Sequence, residues 1–237
     1  MKPVEDTLPS KSEEKVEDHR IRVAADRRQR MRVRLQNAII ACYVAGPTFR
    51  LPSVEEVCGE ARVSRATFYR HFDSVESALD IIGQSLLEEM FNDLAGLFGR
   101  RHKPIEHIAM GIQMFLMRSA TDSVWAAFAS RAIAFTEASS FVRGILTDLD
   151  DLHEAGIGHM LNVDAAKSLI LGATMEGIRH VHQTGDRRRE YVEDLTTLIL
   201  CALGIDLETA VEHVRSSSIH IRGLALDCLD WWRDPWS

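Results

Sequence analysis

Arg65, Thr67, Tyr69, Arg70 and His71 fall within seven consecutive residues of the segment "VSRATFYRHFDSVESAL", residues 63–79. Two guanidiniums, two hydroxyls and an imidazole at that density carry positive charge and can donate hydrogen bonds in several directions. The chemistry they suit is contact with an anion rather than bond making or breaking. The helix that carries them starts at Ser64 and is over by Phe72, too short to be stable alone in water. Phe68 and Phe72, four apart, can anchor it to its neighbours. Arg65 and Tyr69, with Ala66 and Arg70 beside them, then point away. A solvated charged helix face is the plainer alternative.

The charge distribution separates the two. The chain has 237 residues and a formal net charge of −7. Residues 20–72 nevertheless hold 11 Lys+Arg against 4 Asp+Glu, while the remainder holds 17 against 31. One basic end on an acidic protein suggests a polyanion as partner of that end only. No apolar run is long enough to span a bilayer, and the polar, charged N-terminus lacks the apolar core of a signal peptide. Cys42, Cys58, Cys201 and Cys228 show no CxxC pairing and sit among apolar helical neighbours. They read as reduced core thiols of a cytoplasmic protein, with no metal and no redox role.

Helical periodicity runs through almost the whole chain, which predicts an all-α fold. Composition predicts a disordered arm over residues 1–24. A first helix is expected from about Asp26 to Ala45, basic and wet in its first half, with Leu35, Ile39, Cys42 and Tyr43 inward and Gly46-Pro47 as its stop. Ser53-x-x-Glu56 has the form of a capping box for a second helix, with Val54, Val57, Cys58 and Ala61 on one face. Arg62-Val63 is the turn, and Ser64 caps the short third helix. Asp73-x-x-Glu76 looks like the cap of a long helix to about Phe98. Two helices joined by a tight turn, the second short, basic and outward-facing, form a helix-turn-helix. Further helices are expected from Pro104 to about Arg118, from Asp122 through Phe135, from about Thr136 to Ala155, from Asp164 to Thr184 and from Tyr191 to Leu203. One or two more are expected in the tail from Asp206.

The run "SVEEVCGEARVSRATFYRHFDSVESAL" resembles the tetracycline-repressor (TetR) family of bacterial transcription regulators, over roughly residues 26–82. Ala61, Val63, Ser64, Thr67, Phe68, Tyr69, His71, Phe72, Ser74 and Glu76 match the family's usual pattern. The resemblance implies a DNA-binding domain at 25–82 and a ligand-binding and dimerisation domain at 83–237, joined by the long fourth helix. It also implies DNA contacts from Ser53, Ser64, Arg65, Thr67, Tyr69, Arg70 and His71. Their chemistry agrees: arginine can pair bidentately with guanine, the threonine methyl suits thymine, and hydroxyls and helix starts can meet phosphate. Two positions depart from the pattern. The family's turn glycine is Arg62 here, and the lysine that usually opens the fourth helix is Val75.

Met114, Phe115, Met117, Trp125, Phe128, Phe135 and Met175 are large, soft side chains that could line a pocket for an apolar or amphipathic effector; plain core explains them too. Met114, Met117, Trp125, Phe128, Phe135 and Met175 are carried as the effector candidates. Leu169, Gly172, Ala173, Gly177, Leu195 and Leu198 are the candidates for a homodimer seam, although packing within the chain explains the small ones nearly as well. Among enzyme signals, Glu176 and His180 are four apart but lie beside Arg179, and His180 and His182 diverge on a helix. There is no Gly-rich phosphate loop, HExxH or nucleophile elbow, so no catalytic residue and no cofactor is assigned. The sequence therefore reads as a dimeric repressor of double-stranded DNA, released from a palindromic operator by a small molecule. A ligand-independent architectural or division-linked DNA binder remains the alternative, and an all-helical enzyme a remote one.

Overall fold

The computed structural model describes residues 11–46, 50–98, 103–132, 140–159 and 162–236, with backbone alone at 11–21, 98, 132 and 141. The described chain is all-α. Its helices are α1 (Lys11–Ala45), α2 (Val54–Ala61), α3 (Arg65–Tyr69), α4 (Val75–Phe98) and α5 (Pro104–Thr121), then α6 (Ser123–Ala132), α7 (Ser140–Glu154), α8 (Val163–Thr184), α9 (Arg189–Ala202) and α10 (Leu207–Cys228). They form two compact units, Met1–Ala78 and Leu79–Ser237. Among the described residues no helix is long and apolar enough to cross a membrane.

In the first unit α1 buries Leu35, Ala38, Ile39 and Tyr43, the three- and four-residue steps of one helical face. Its basic half, Arg27 to Arg30, is exposed. α1 begins at Lys11, well before Asp26 and inside the segment whose composition suggests a disordered arm. Low hydrophobicity predicts that residues 11–24 bury little, but their Glu, Lys and Arg are good helix formers, and Asp18 and Arg22 stand four apart. Residues 1–10 of that arm lie outside the described residues. α2, α3 and the first turn of α4 add Val57, Cys58, Ala61, Phe68, Phe72, Val75 and Ala78 to the buried set.

The second unit is built on α5, in which every residue from Ile108 to Ala120 is buried. A helix enclosed on all sides is the centre of its domain, and α6, α7, α8, α9 and α10 all pack against it. Its polar residues are accordingly few. Gln113 donates to the Ala109 and Val214 carbonyls, and Ser119 to the Leu116 carbonyl.

Several helix starts differ from the sequence reading. α4 is capped by a reciprocal pair one residue further on: the Ser77 amide donates to Ser74 Oγ and the Ser74 amide to Ser77 Oγ, each at 3.1 Å. Asp73 and Glu76 are not the cap. α8 is capped by Asn162, whose Oδ1 accepts from the Ala165 amide at 2.9 Å; Asp164 lies in the first turn and pairs with Lys167. α6 is capped by Asp122, as expected, through the Trp125 amide. The tail forms one helix, α10, capped by Asp206. Cys228 is exposed, unlike the core thiol expected, because it ends α10 on its outer face; Cys58 is buried, and Cys42 and Cys201 are half-buried.

Candidate nucleic-acid interface

The short third helix is held as its apolar spacing requires. Phe68 is fully buried and Phe72 nearly so, with ring centroids 5.9 Å apart. From α1, the Arg32 guanidinium lies 4.9 Å from the Phe72 ring centroid. Arg32, in the basic half of the first helix that the sequence suggests lies wet, is therefore stacked on the core. Cation–π contact of this kind stabilises by about 0.5–1 kcal/mol at an exposed site.

The turn before α3 carries an unusual backbone. Arg62 has φ 50° and ψ 52°, and among the described residues it is the single non-glycine residue at positive φ. The Val63 amide donates to the Cys58 carbonyl at 3.0 Å and the Arg62 amide to the Gly59 carbonyl at 3.2 Å. Those two bonds and the left-handed residue make a Schellman motif, which satisfies the last carbonyls of α2. The turn has kept the left-handed geometry that glycine normally supplies, and Arg62 stands in it.

Each helix start is closed by its own chain. The Ser53 amide donates to the Glu56 carboxylate at 2.7 Å and the Glu56 amide to Ser53 Oγ at 3.2 Å, the reciprocal box that the sequence suggests. Arg50 grips the same carboxylate with both terminal nitrogens, at 2.7 and 3.1 Å. The Arg50 hydrogen bond, then the Ser53 amide, hold Glu56 down to about pKa 2. The head of α2 thus already holds an anion of its own. At α3, Ser64 Oγ accepts from the Thr67 amide at 3.2 Å.

Behind these caps stands an exposed face. Arg65, Ala66, Tyr69 and Arg70 are exposed, and so are Ser53 and Ser64; Thr67 and His71 are half-buried. Tyr69 meets Phe68 edge-on at 5.4 Å, which sets its ring. The Arg65 guanidinium is held by the Tyr69 side chain and by Glu55 of α2, whose carboxylate lies 2.7 Å away. Both push its pKa further up. Thr67 Oγ1 lies 3.0 Å from Ser64 Oγ and accepts from Arg70 at 3.1 Å, so its hydroxyl is engaged and its methyl is the freer group. Burial, then Arg28, Arg70 and Arg32, lower the pKa of His71. It is neutral near pH 7 and can hydrogen-bond an anion without adding charge. Glu55 and Arg50 were missed by the sequence reading, although Glu55 lies in the same motif.

Val75, at the position of the family's lysine, is 4% exposed. It is part of the first unit's core, not of the exposed face.

In the second unit Met114, Phe115, Met117, Phe128 and Trp125 are buried, and Met175 is half-buried; Phe135 lies outside the described residues. Of the seam candidates, Leu169 and Leu198 are exposed at 40% and 65%, and Gly172 is exposed with open space about it. Ala173 and Leu195 are half-buried against the core. Gly177 faces inward: a Cβ there would lie 2.7 Å from Leu116 and 2.6 Å from Leu195, so its smallness serves the packing of α8 within the chain.

No family model matches the chain, and no curated protein does either. Solved structures do match. RolR in complex with resorcinol is 18% identical, with 80% of this chain and 95% of that chain aligned at a TM-score of 0.57. The transcriptional regulator FadR from Bacillus subtilis in complex with stearoyl-CoA is 18% identical over 73% of this chain and 97% of that chain, TM-score 0.53. An ArpA-like gamma-butyrolactone receptor is 12% identical over 83% and 98%, TM-score 0.56. With the helix-turn-helix of α2 and α3 in its first unit, the chain has the fold of the TetR-family transcription regulators.

Proposed function

We propose that the chain is a dimeric DNA-binding transcription regulator of the cytoplasm, a repressor that leaves a palindromic operator when a small molecule binds its second unit. The carrying observation is the exposed face of α3. Arg65, Tyr69 and Arg70 are exposed while Phe68 and Phe72 fix the helix from behind. Outward donors on a helix fixed from behind suit the edges of bases in a major groove, with neighbouring cations for phosphate. Its DNA-contacting set is Ser53, Ser64, Arg65, Thr67, Tyr69, Arg70 and His71. Small-molecule control is supported by the named ligands of RolR and FadR, and by the Met- and aromatic-rich interior of the second unit. The exposed Leu169, Gly172 and Leu198 on α8 and α9 offer an apolar face for a second copy.

The test is selection of DNA sites from a random pool with the purified full chain. A two-fold symmetric sequence is expected, its half-site centres about 34–36 Å apart or a multiple of that. Arg65→Ala should cost about 1–3 kcal/mol per half-site and relax preference at one base pair. Recovery of no preferred sequence, or an Arg65 variant with unchanged preference, would overturn the reading.

A further inference from the structure

Arg118 is the group whose surroundings the fold does not account for. It lies on α5 with its side chain 7% exposed. A buried guanidinium costs free energy unless its donors are satisfied, and it carries five. One terminal nitrogen lies 2.9 Å from Glu89 Oε1. The other donates to Met90 Sδ at 3.3 Å, a weak acceptor. Nε has no acceptor among the described residues. The planar group is flanked by two indoles, with the Trp125 and Trp231 ring centroids at 5.1 and 4.7 Å. Trp125 adds a second buried donor without an acceptor, its Nε1. Two unpaired N–H groups on two contacting side chains of one cage call for an acceptor that the described residues do not supply.

We infer that Arg118 is the anion-holding group of a small-molecule site in the second unit, and that the site takes a monocarboxylic acid with an apolar body. The inference rests on the regulator reading for its biological meaning and on this cage for its chemistry. A carboxylate matches the planar edge of a guanidinium with two parallel hydrogen bonds, here to Nε, which has no acceptor among the described residues, and to the terminal nitrogen that Glu89 now holds. Glu89 is 43% exposed, so it can turn to water when a stronger partner arrives. That makes it both the occupant to be displaced and the mark of an entry side. The apolar groups beside the guanidinium, against which the body would pack, are Trp125 and Trp231, with Phe115 next to Trp125 at a ring distance of 5.8 Å. A dianion such as a phosphate ester suits the cage less well, because Arg118 is the one cation among the described residues that these two indoles share.

The exchange would reach α4. Glu89 and Met90 belong to α4, and so does Asp93, whose carboxylate accepts from Trp231 Nε1 at 2.6 Å. Arg118 and Trp231 therefore tie α4 to the interior at adjacent turns. An acid that takes the guanidinium removes the Glu89 tie and leaves the Asp93 tie, which biases α4 between two sets of contacts. A ligand regulates only through such a difference in affinity between states.

The experiment uses the full chain, intrinsic tryptophan emission and four probes at pH 7.5: benzoate and octanoate, with benzamide and octanamide as uncharged counterparts. Each acid should bind about tenfold tighter than its amide or better, since hydrogen bonds to a charged partner are the stronger ones. Glu89→Gln, an exposed and isosteric change, should tighten acid binding several-fold and leave the amides as they were. Arg118→Gln should abolish the preference for acids if it folds; Glu89→Gln keeps the test decisive if it does not. Equal binding of acids and amides, no saturable response up to about 10 mM, or acid affinity unmoved by Glu89→Gln would each overturn the proposal. Site selection on DNA with the same protein keeps the two readings apart. Acid binding without a DNA site would sink the regulator and leave the cage, and a DNA site without acid preference would do the reverse.

Discussion

Replacing Arg62 by glycine should stabilise the protein, although arginine is exposed there and glycine removes a whole side chain. A non-glycine residue in the left-handed region puts its Cβ against the following carbonyl, at a cost of about 1–2 kcal/mol. Arg62 sits in that region at φ 50° and ψ 52°, held by the two hydrogen bonds that end α2. Glycine relieves the clash and keeps both bonds, since they belong to the backbone. It also gives the unfolded chain more freedom, which returns about 0.4–1 kcal/mol to the unfolded state. The net gain is about 0.5–1 kcal/mol, or roughly 1–4 °C in melting temperature for a chain of this size.

Urea unfolding of the full chain, followed by far-ultraviolet circular dichroism, measures it. Arg62→Ala is the control, because alanine keeps the Cβ and loses only the charge and the stem. The backbone argument requires glycine to stabilise and alanine not to. If the two variants gain equally, the benefit comes from removing a cation beside Arg65 and Arg70, and strain is not the cause. If glycine destabilises, the left-handed conformation costs arginine nothing here and the reasoning fails.

The other predictions concern burial, competition and pH. Val75→Lys should destabilise the first unit by about 2–4 kcal/mol, because a buried valine gives way to a charge with no partner. A variant that melts like the wild type, with a dimer salt slope steeper by roughly 1.8, would show that residue 75 reaches DNA instead. Glu55→Gln should raise DNA affinity by about 0.2–1 kcal/mol per half-site, the worth of an exposed ion pair, since it frees Arg65 from the carboxylate 2.7 Å away. Unchanged affinity in a titration at fixed salt would mean that Glu55 does not compete. His107 Nδ1 lies 3.0 Å from Asp148 Oδ1, joining α5 to α7, and that hydrogen bond, outweighing burial, raises the imidazole pKa. A raised pKa adds stability fully present below about pH 6.5, the unfolded value, and lost as pH rises through the folded value. Asp148→Asn should therefore lower the melting temperature more at pH 6 than at pH 8.5, by up to about 2–4 °C for a contribution near 1 kcal/mol. Equal losses at both pH values would remove His107 from the account.

What the sequence disclosed follows the reach of each interaction along the chain. The caps at Ser53 and Ser64, the Phe68–Phe72 pair and the outward set around Arg65 are all settled within a few residues. Local hydrogen bonding and helical spacing are enough to read them. Even there, neighbouring frames compete. Asp73-x-x-Glu76 and Ser74-x-x-Ser77 are both chemically sound caps, as are Asn162 and Asp164. Burial of the helix decides which frame wins: Val75 at the head of α4 and Ala166 in the first turns of α8 must face inward. A cap pattern read without the core it serves is thus good to one or two residues.

Arg32 on Phe72 spans forty positions in the sequence, and Arg118 reaches Glu89, Trp125 and Trp231. No spacing rule links such residues. Arg118 in particular sits in an otherwise apolar stretch, "GIQMFLMRSA", where helical periodicity predicts core and a charge looks like the edge of it. Only the surrounding helices show that the core continues past it on every side. A guanidinium enclosed there, with donors to spare, is costly as plain scaffold. The same enclosure strengthens any charge-assisted bond it can make. The long-range contacts that hid Arg118 from the sequence are therefore the same ones that make it the place to look for an acid.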